Sequence, residues 1–264
     1  MGCLELLFFV QVVLESLPVS SSGHLALLVQ LLARGGFDFC AAQLATFDHA
    51  LSDLLHLPTL IILSAFFLPR YGYLLRSPRR VLPLIMRAMV AVVLADLVTG
   101  VIYLICGTWL KAALPLWVGF CVTAIVLFSL RWCPPGRGVR FNAWRALLLG
   151  LVQALVLAPG LSRLASTFVV ARWLGFRGTR AFEISWAIHV PLIVAVVARD
   201  LPSAYADGQL VLLTDPWAIL SLSVATVLGY LLLRVTARWA AAGTFWRFGF
   251  YMIAPMLLAL FLSL

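Results

Sequence analysis

The sequence predicts an all-α polytopic membrane protein built as an inverted-topology repeat, each half one re-entrant helix pair followed by three transmembrane helices. Three observations lead there. Of 264 residues, 64% are hydrophobic and only 11% charged, against about 25% charged in a soluble domain. Two apolar helical runs are each interrupted by a short polar stretch, at 15–24 and at 158–163. The arginines gather in alternate short loops, as the positive-inside rule requires. No polar stretch is long enough for a soluble domain, so 1–264 reads as one integral-membrane domain. Residues 1–133 form the first repeat and 134–264 the second, inverted one.

The net charge of +9 belongs to those loops; no basic stripe with interleaved aromatics points to nucleic acid. Five cysteines (Cys3, Cys40, Cys106, Cys121, Cys133) are scattered without metal-ligand spacing and read as packing residues. The N-terminus lacks a basic leader and runs straight into polar sequence, so a cleavable signal peptide is not expected.

The first run carries Gln11 and Glu15, then Pro18, Ser20, Ser21, Ser22, Gly23 and His24. Helix resumes over 25–33 until Gly35, Gly36 and Asp38 break it. A spanning helix needs about 20 residues; each arm here is about half that, so the pair dips in and returns on the same side. The segment 47–68 can span, and its Asp48, His49, Ser52, Asp53, His56 and Pro58 suggest a face turned to the bundle interior. Spans at 81–106 and 116–130 follow. A second run, 143–173, breaks at Ala158-Pro159-Gly160-Leu161-Ser162-Arg163, and spans at 182–198, 217–235 and 248–264 complete the chain. Loops 70–80, 131–145, 172–180 and 234–247 carry the arginines and go inside; 107–115 and 199–215 go outside. Both termini then lie outside, and the two re-entrant pairs enter from opposite sides.

The halves also share motifs. Pro18-x-x-Ser21 returns as Pro159-x-x-Ser162, 141 positions on (159 − 18), and Ser52-x-x-x-His56-x-Pro58 returns as Ser185-x-x-x-His189-x-Pro191, 133 on (191 − 58). Inverted repeats whose broken helices meet near the midplane are an established membrane architecture.

Ionisable groups at membrane depth are costly and mark function, and non-helical backbone survives there only inside protein or beside a watery cavity. Brought together, the two breaks collect Glu15, Ser20, Ser21, Ser22, His24, Ser162, Arg163, Ser166 and Thr167. Arg163 is permanently charged and matches phosphate geometry in bidentate fashion. Helix N-termini after each break add free N–H donors and partial positive charge. A serine beside a histidine can act as nucleophile with an acid/base partner. Glu15 can orient that histidine or hold a divalent cation. Against this, membrane serines often bond back to carbonyls or join helices, a reading that serves Ser20, Ser22 and Ser166 equally well. His49 reads as a loop-edge residue. His56 and His189, each two residues before a proline, read as satisfying kinked backbone.

Glu15-Ser-Leu-Pro-Val-Ser-Ser-Ser-Gly-His24 resembles the first signature of the undecaprenyl-pyrophosphate phosphatases of the bacitracin-resistance type, E-G-x-T-E-F-L-P-V-S-S-T-G-H. Pro159-Gly-Leu-Ser-Arg163 resembles half of their second, P-G-x-S-R-S-G-A-T, and the run 182–191 is also similar. The resemblance extends over the whole chain. It implies that Ser21 is the nucleophile and His24 its acid/base partner, and that Arg163 binds pyrophosphate with Ser162, Thr167, Ser20 and Ser22 nearby. It also implies that Glu15 is the second of two glutamates linked to Mg²⁺ or Ca²⁺. Two departures stand out. Gln11 replaces the first glutamate, a weaker ligand for a hard cation, and Leu164-Ala165 replaces Ser-Gly, removing backbone freedom near the phosphate.

The resemblance implies hydrolysis of undecaprenyl pyrophosphate to undecaprenyl phosphate and inorganic phosphate, returning the lipid carrier to cell-wall synthesis. The nucleophile is Ser21 or a water beside it. The expected setting is the bacterial inner membrane, with the site facing the periplasmic side. The expected partners are the polyprenyl pyrophosphate and membrane lipids, no nucleic acid, with a homodimer left open. The alternatives are a non-hydrolytic transporter or flippase of polyprenyl phosphate on the same fold, and a catalytically dead binding protein.

Overall fold

In a computed structural model, described for residues 3–36, 54–72, 78–112 and 114–264, the chain is all-helical, with no strand among the described residues. Asp48, His49, Ser52, Asp53 and Cys40 lie outside the described residues. The helices are α1 (Cys3–Glu15), α2 (Ser21–Arg34), α3 (Leu57–Tyr71), α4 (Pro78–Ala112), α5 (Leu116–Ser129), α6 (Ala143–Leu155), α7 (Arg163–Trp173), α8 (Gly178–Ala206), α9 (Pro216–Ala242) and α10 (Phe248–Ser263). In lipid every backbone polar group must find its partner within the segment, which leaves helix as the solution for an apolar single-chain run.

Among the described residues, four helices are long and apolar enough to cross a membrane: Met86–Leu110, Gly178–Ala206, Pro216–Ala242 and Phe245–Ser263. The exposed side of α4, with Met86, Met89, Val93, Leu97, Val101, Leu104 and Ile105, has the composition of a lipid-facing surface. The expected span at 116–130 is shorter. Even with its 3-10 extension, helix ends at Trp132, and 17 residues rise only about 25 Å. Its face of Gly119, Phe120, Thr123, Ala124 and Leu127 is buried in protein.

Both expected breaks occur. α1 has 13 residues, α2 14, α6 13 and α7 11, all too short to span. Each first arm lies along a long helix of the other half: α1 against α9, and α6 against α4. The contacts are sealed the same way. Thr236 of α9 donates to the Ser16 carbonyl (3.1 Å) and Thr99 of α4 to the Gly150 carbonyl (2.9 Å). Each is a threonine hydroxyl satisfying a carbonyl across a helix pair. α5 packs along α10, and α7 is held by α5, α6 and α8. The core is aromatic beneath the second break, where Phe120, Phe168, Phe176 and Phe245 are fully buried.

Local signals set the ends. Asp215 caps α9, its carboxylate accepting from the Trp217 and Ala218 amides, and Gly243 closes that helix with a φ of 73°. α2 starts at Ser21 rather than near residue 25, because Ser20 is its N-cap: the Ser20 hydroxyl accepts from the Gly23 amide at 3.3 Å.

Candidate active site

The two breaks meet backbone to backbone. A Cβ added at Gly23 would stand 2.8 Å from Gly160 Cα, and one added at Gly119 would stand 1.9 Å from the Pro159 carbonyl oxygen. Only glycines allow this approach. Ser162 caps α7 as Ser20 caps α2, its hydroxyl accepting from the Ala165 amide at 3.2 Å. The sequence motifs align Ser21 with Ser162. By the caps, Ser20 matches Ser162, and Ser21 and Arg163 each open a helix.

Glu15 is the last residue of α1, at the end where the helix dipole disfavours a negative charge. Donors offset that cost. The Ser21 hydroxyl donates to Glu15 Oε2. On the other oxygen, His189 Nε2 donates at 3.2 Å. His189 Nδ1 in turn receives Arg163 Nη1 at 3.1 Å. A guanidinium only donates, so Nδ1 carries a lone pair and Nε2 the proton. One neutral imidazole therefore links Arg163 to Glu15, and Glu15 links on to Ser21. Glu15 and His189 are both nearly enclosed, with side chains 10% and 8% exposed. His56 Nδ1 stands 3.8 Å from Glu15 Oε1, beyond hydrogen-bond reach.

Other expected residues are placed differently. His24 does not bond to Ser21 or Glu15. Its Nδ1 donates to the Ser20 carbonyl at 2.8 Å, and its Nε2 accepts from the Tyr251 hydroxyl at 3.0 Å. The reason is helical spacing, since residue 24 sits one turn after the cap carbonyl. Tyr251 also stacks on the imidazole, with ring centroids 5.6 Å apart. Thr167 turns its hydroxyl back to the Arg163 carbonyl at 2.8 Å. Ser162 and Ser20 serve as caps, and Ser22 is exposed. Ala165 is the third residue of α7 and fully buried; there alanine suits helix better than the glycine it replaces.

His189, read from sequence as satisfying kinked backbone, instead bonds to two charged side chains of the site. Its bond to Glu15 bridges 174 positions. Near Pro191, the Ile188 carbonyl accepts from Gln153 Nε2 at 3.3 Å. The same amide nitrogen reaches Asp96 Oδ1 at 3.1 Å. Tyr251, Asp96 and Gln153 carry no local motif, and distance in sequence hides them.

Gln11 lies one turn before Glu15 on the same face of α1, 3% exposed, and its Oε1 has no hydrogen-bond partner among the described residues. A buried carbonyl oxygen left open beside a carboxylate fits part of a hard-cation shell.

Two broken helices that present two N-termini, an arginine and a carboxylate-held serine, beside helices long and apolar enough to cross a membrane, have the donors of an anion site in a membrane protein. The family model for bacitracin resistance protein BacA matches residues 6–258, and the chain belongs to that family. It is 31% identical over 256 residues to the undecaprenyl-diphosphatase of Thermotoga petrophila, covering 96% of this chain and 97% of that one. The undecaprenyl-diphosphatase of Rhodopirellula baltica is 28% identical over 265 residues, covering 98% and 96%. That of Treponema denticola is 27% identical over 257 residues, covering 92% and 90%.

The bond between His24 and the exposed Tyr251 is testable. Tyr251→Phe keeps the stacked ring and removes the hydroxyl. Phosphate release is expected to fall about 2- to 5-fold, the net worth of one neutral hydrogen bond at an exposed position; unchanged release would show that the bond does not hold His24 in a working position.

Proposed function

We propose that this protein hydrolyses the terminal phosphoanhydride of undecaprenyl pyrophosphate, releasing inorganic phosphate and returning undecaprenyl phosphate to cell-envelope synthesis. The observation that carries the reading is the unbroken polar chain from Arg163 through His189 and Glu15 to Ser21. It lies in a chain similar over nearly its whole length to undecaprenyl-diphosphatases. A non-hydrolytic carrier has no use for a hydroxyl held on a buried carboxylate.

Arg163 and the helix N-termini of α2 and α7 hold the diphosphate. Ser21 Oγ attacks the terminal phosphorus while Glu15, already its hydrogen-bond acceptor, takes the proton. The bond from that phosphorus to the bridging oxygen breaks, and undecaprenyl phosphate leaves. Water then attacks the phosphoserine phosphorus and gives its proton to His24, three residues from Ser21 on one helical face. The bond from phosphorus to Ser21 Oγ breaks, Glu15 returns its proton to Oγ, and inorganic phosphate leaves. Charge spreads over the equatorial oxygens in such a transition state, so placed cationic donors supply most of the rate. Glu15 and the Gln11 amide oxygen would hold Mg²⁺ or Ca²⁺, which would supply further positive charge at the phosphoryl oxygens. The C55 tail lies along apolar surface beside the breaks.

The arginine loops favour a bacterial inner-membrane protein whose first break opens to the periplasm. The matched packing of α1 on α9 and α6 on α4 supports the inverted repeat of 1–133 and 134–264.

The test is phosphate release from undecaprenyl pyrophosphate by purified protein in detergent, with Mg²⁺ and with chelator, beside Ser21→Ala. Metal-stimulated release that Ser21→Ala abolishes is expected. Release insensitive to chelator would remove the metal and leave the hydrolase. Well-folded protein releasing nothing would sink the hydrolase reading.

A further inference from the structure

We propose that His189 is a positioning residue for this reaction: a neutral spacer that keeps Arg163 and Glu15 from pairing with each other, so that one stays on the diphosphate and the other on Ser21. The inference rests on the hydrolase reading above.

The two charged groups need opposite company. Arg163 must offer its donors to an anion, and Glu15 must keep an oxygen on the Ser21 hydroxyl. In an enclosed, low-dielectric site an arginine and a carboxylate within reach form a bidentate pair. Such a pair would neutralise the anion binder and occupy the base in one step. The imidazole stands between them instead. It receives Arg163 Nη1 at 3.1 Å on one edge and gives Nε2–H to Glu15 Oε1 at 3.2 Å on the other. Each charge is satisfied on one side by the imidazole. Glu15 Oε2 is the oxygen that accepts from Ser21.

The spacer is itself fixed. His189 is 6% exposed, sits on the long helix α8 two residues before Pro191, and meets the Trp186 ring edge-on with centroids 5.5 Å apart. An imidazole has no rotor between its two nitrogens, so fixing one bond fixes the other. A glutamine keeps one donor and one acceptor at its tip. A phenylalanine fills the same space with neither.

The experiment measures kcat and KM for phosphate release from undecaprenyl pyrophosphate by wild type, His189→Gln and His189→Phe. Ser185→Ala, one turn away on α8 and bonded among the described residues to the Ala181 carbonyl, serves as a packing control. Folding of each variant is checked by its elution as a single detergent-solubilised species. For His189→Phe, kcat is expected to fall about 100-fold, the scale of a misplaced catalytic group, and KM to rise as Arg163 turns from the diphosphate to Glu15. For His189→Gln both are expected within about 10-fold of wild type, and Ser185→Ala is expected to match wild type. A folded Phe variant with wild-type kcat and KM overturns the proposal. Equal losses in Gln and Phe overturn it as well, since they would assign His189 to packing. If wild type itself releases no phosphate, the hydrolase reading fails and the spacer role falls with it, an outcome distinct from the other two.

Discussion

Arg163→Ala is expected to lower phosphate release from undecaprenyl pyrophosphate by about 10³-fold or more, the largest loss of any single substitution in this protein. Removing one donor that stabilises developing charge in a closed site typically costs about 10²–10³ in kcat, and a transition-state arginine in phosphoryl transfer about 10³–10⁵. Arg163 offers both a permanent charge and a planar fork, and it opens α7, so the helix N-terminus aims at the same place. Lysine would restore the charge without the fork. Arg163→Lys is therefore expected to recover only part of the loss, chiefly in KM. The check is steady-state kinetics on both variants in one detergent. Alanine within tenfold of wild type would move the anion site away from α7.

Glu15→Gln ranks second. General-base removal costs about 10²–10⁴, and here the replacement also spoils the hydrogen bonding. Glu15 accepts from Ser21 on one oxygen and from His189 on the other. Glutamine has one oxygen, so its amide nitrogen faces a donor and one buried group goes unpaired. The expected signature is a fall in kcat with a much smaller change in KM, because Arg163 still holds the substrate. His24→Asn is expected to be milder, since His24 bonds to Tyr251 and the Ser20 carbonyl rather than to the serine. If His24→Asn proves the more severe of the two, the base is the histidine that the family resemblance singles out.

That reassignment shows where the sequence stops speaking. The breaks were legible because Pro18, Pro159 and Gly160 cannot continue a helix and Ser20 and Ser162 are natural caps. Arg163 stood out in the sequence because a cation at membrane depth is costly. The membrane class followed from composition. What was hidden is which groups touch. A shift of one residue in the cap, Ser20 in place of Ser21 as the match for Ser162, decides that Ser21 opens α2. His189 looked like the mate of a proline kink because its motif repeats around His56. Its real partners are Arg163, 26 positions before it, and Glu15, 174 before it. Tyr251 lies 227 positions from His24. Local pattern gives the elements, and tertiary packing chooses among polar groups that local pattern leaves equivalent.

The interlock of the halves bears on when this chain becomes active. Glu15 and Ser21 are synthesised first, but Arg163 and His189 come only after α4 and α5, and the tyrosine behind His24 comes from the final helix. During insertion the early segment holds a carboxylate and a serine without Arg163 to bring a diphosphate to them. On the hydrolase reading, the site is therefore complete only once α7, α8 and α10 are in place.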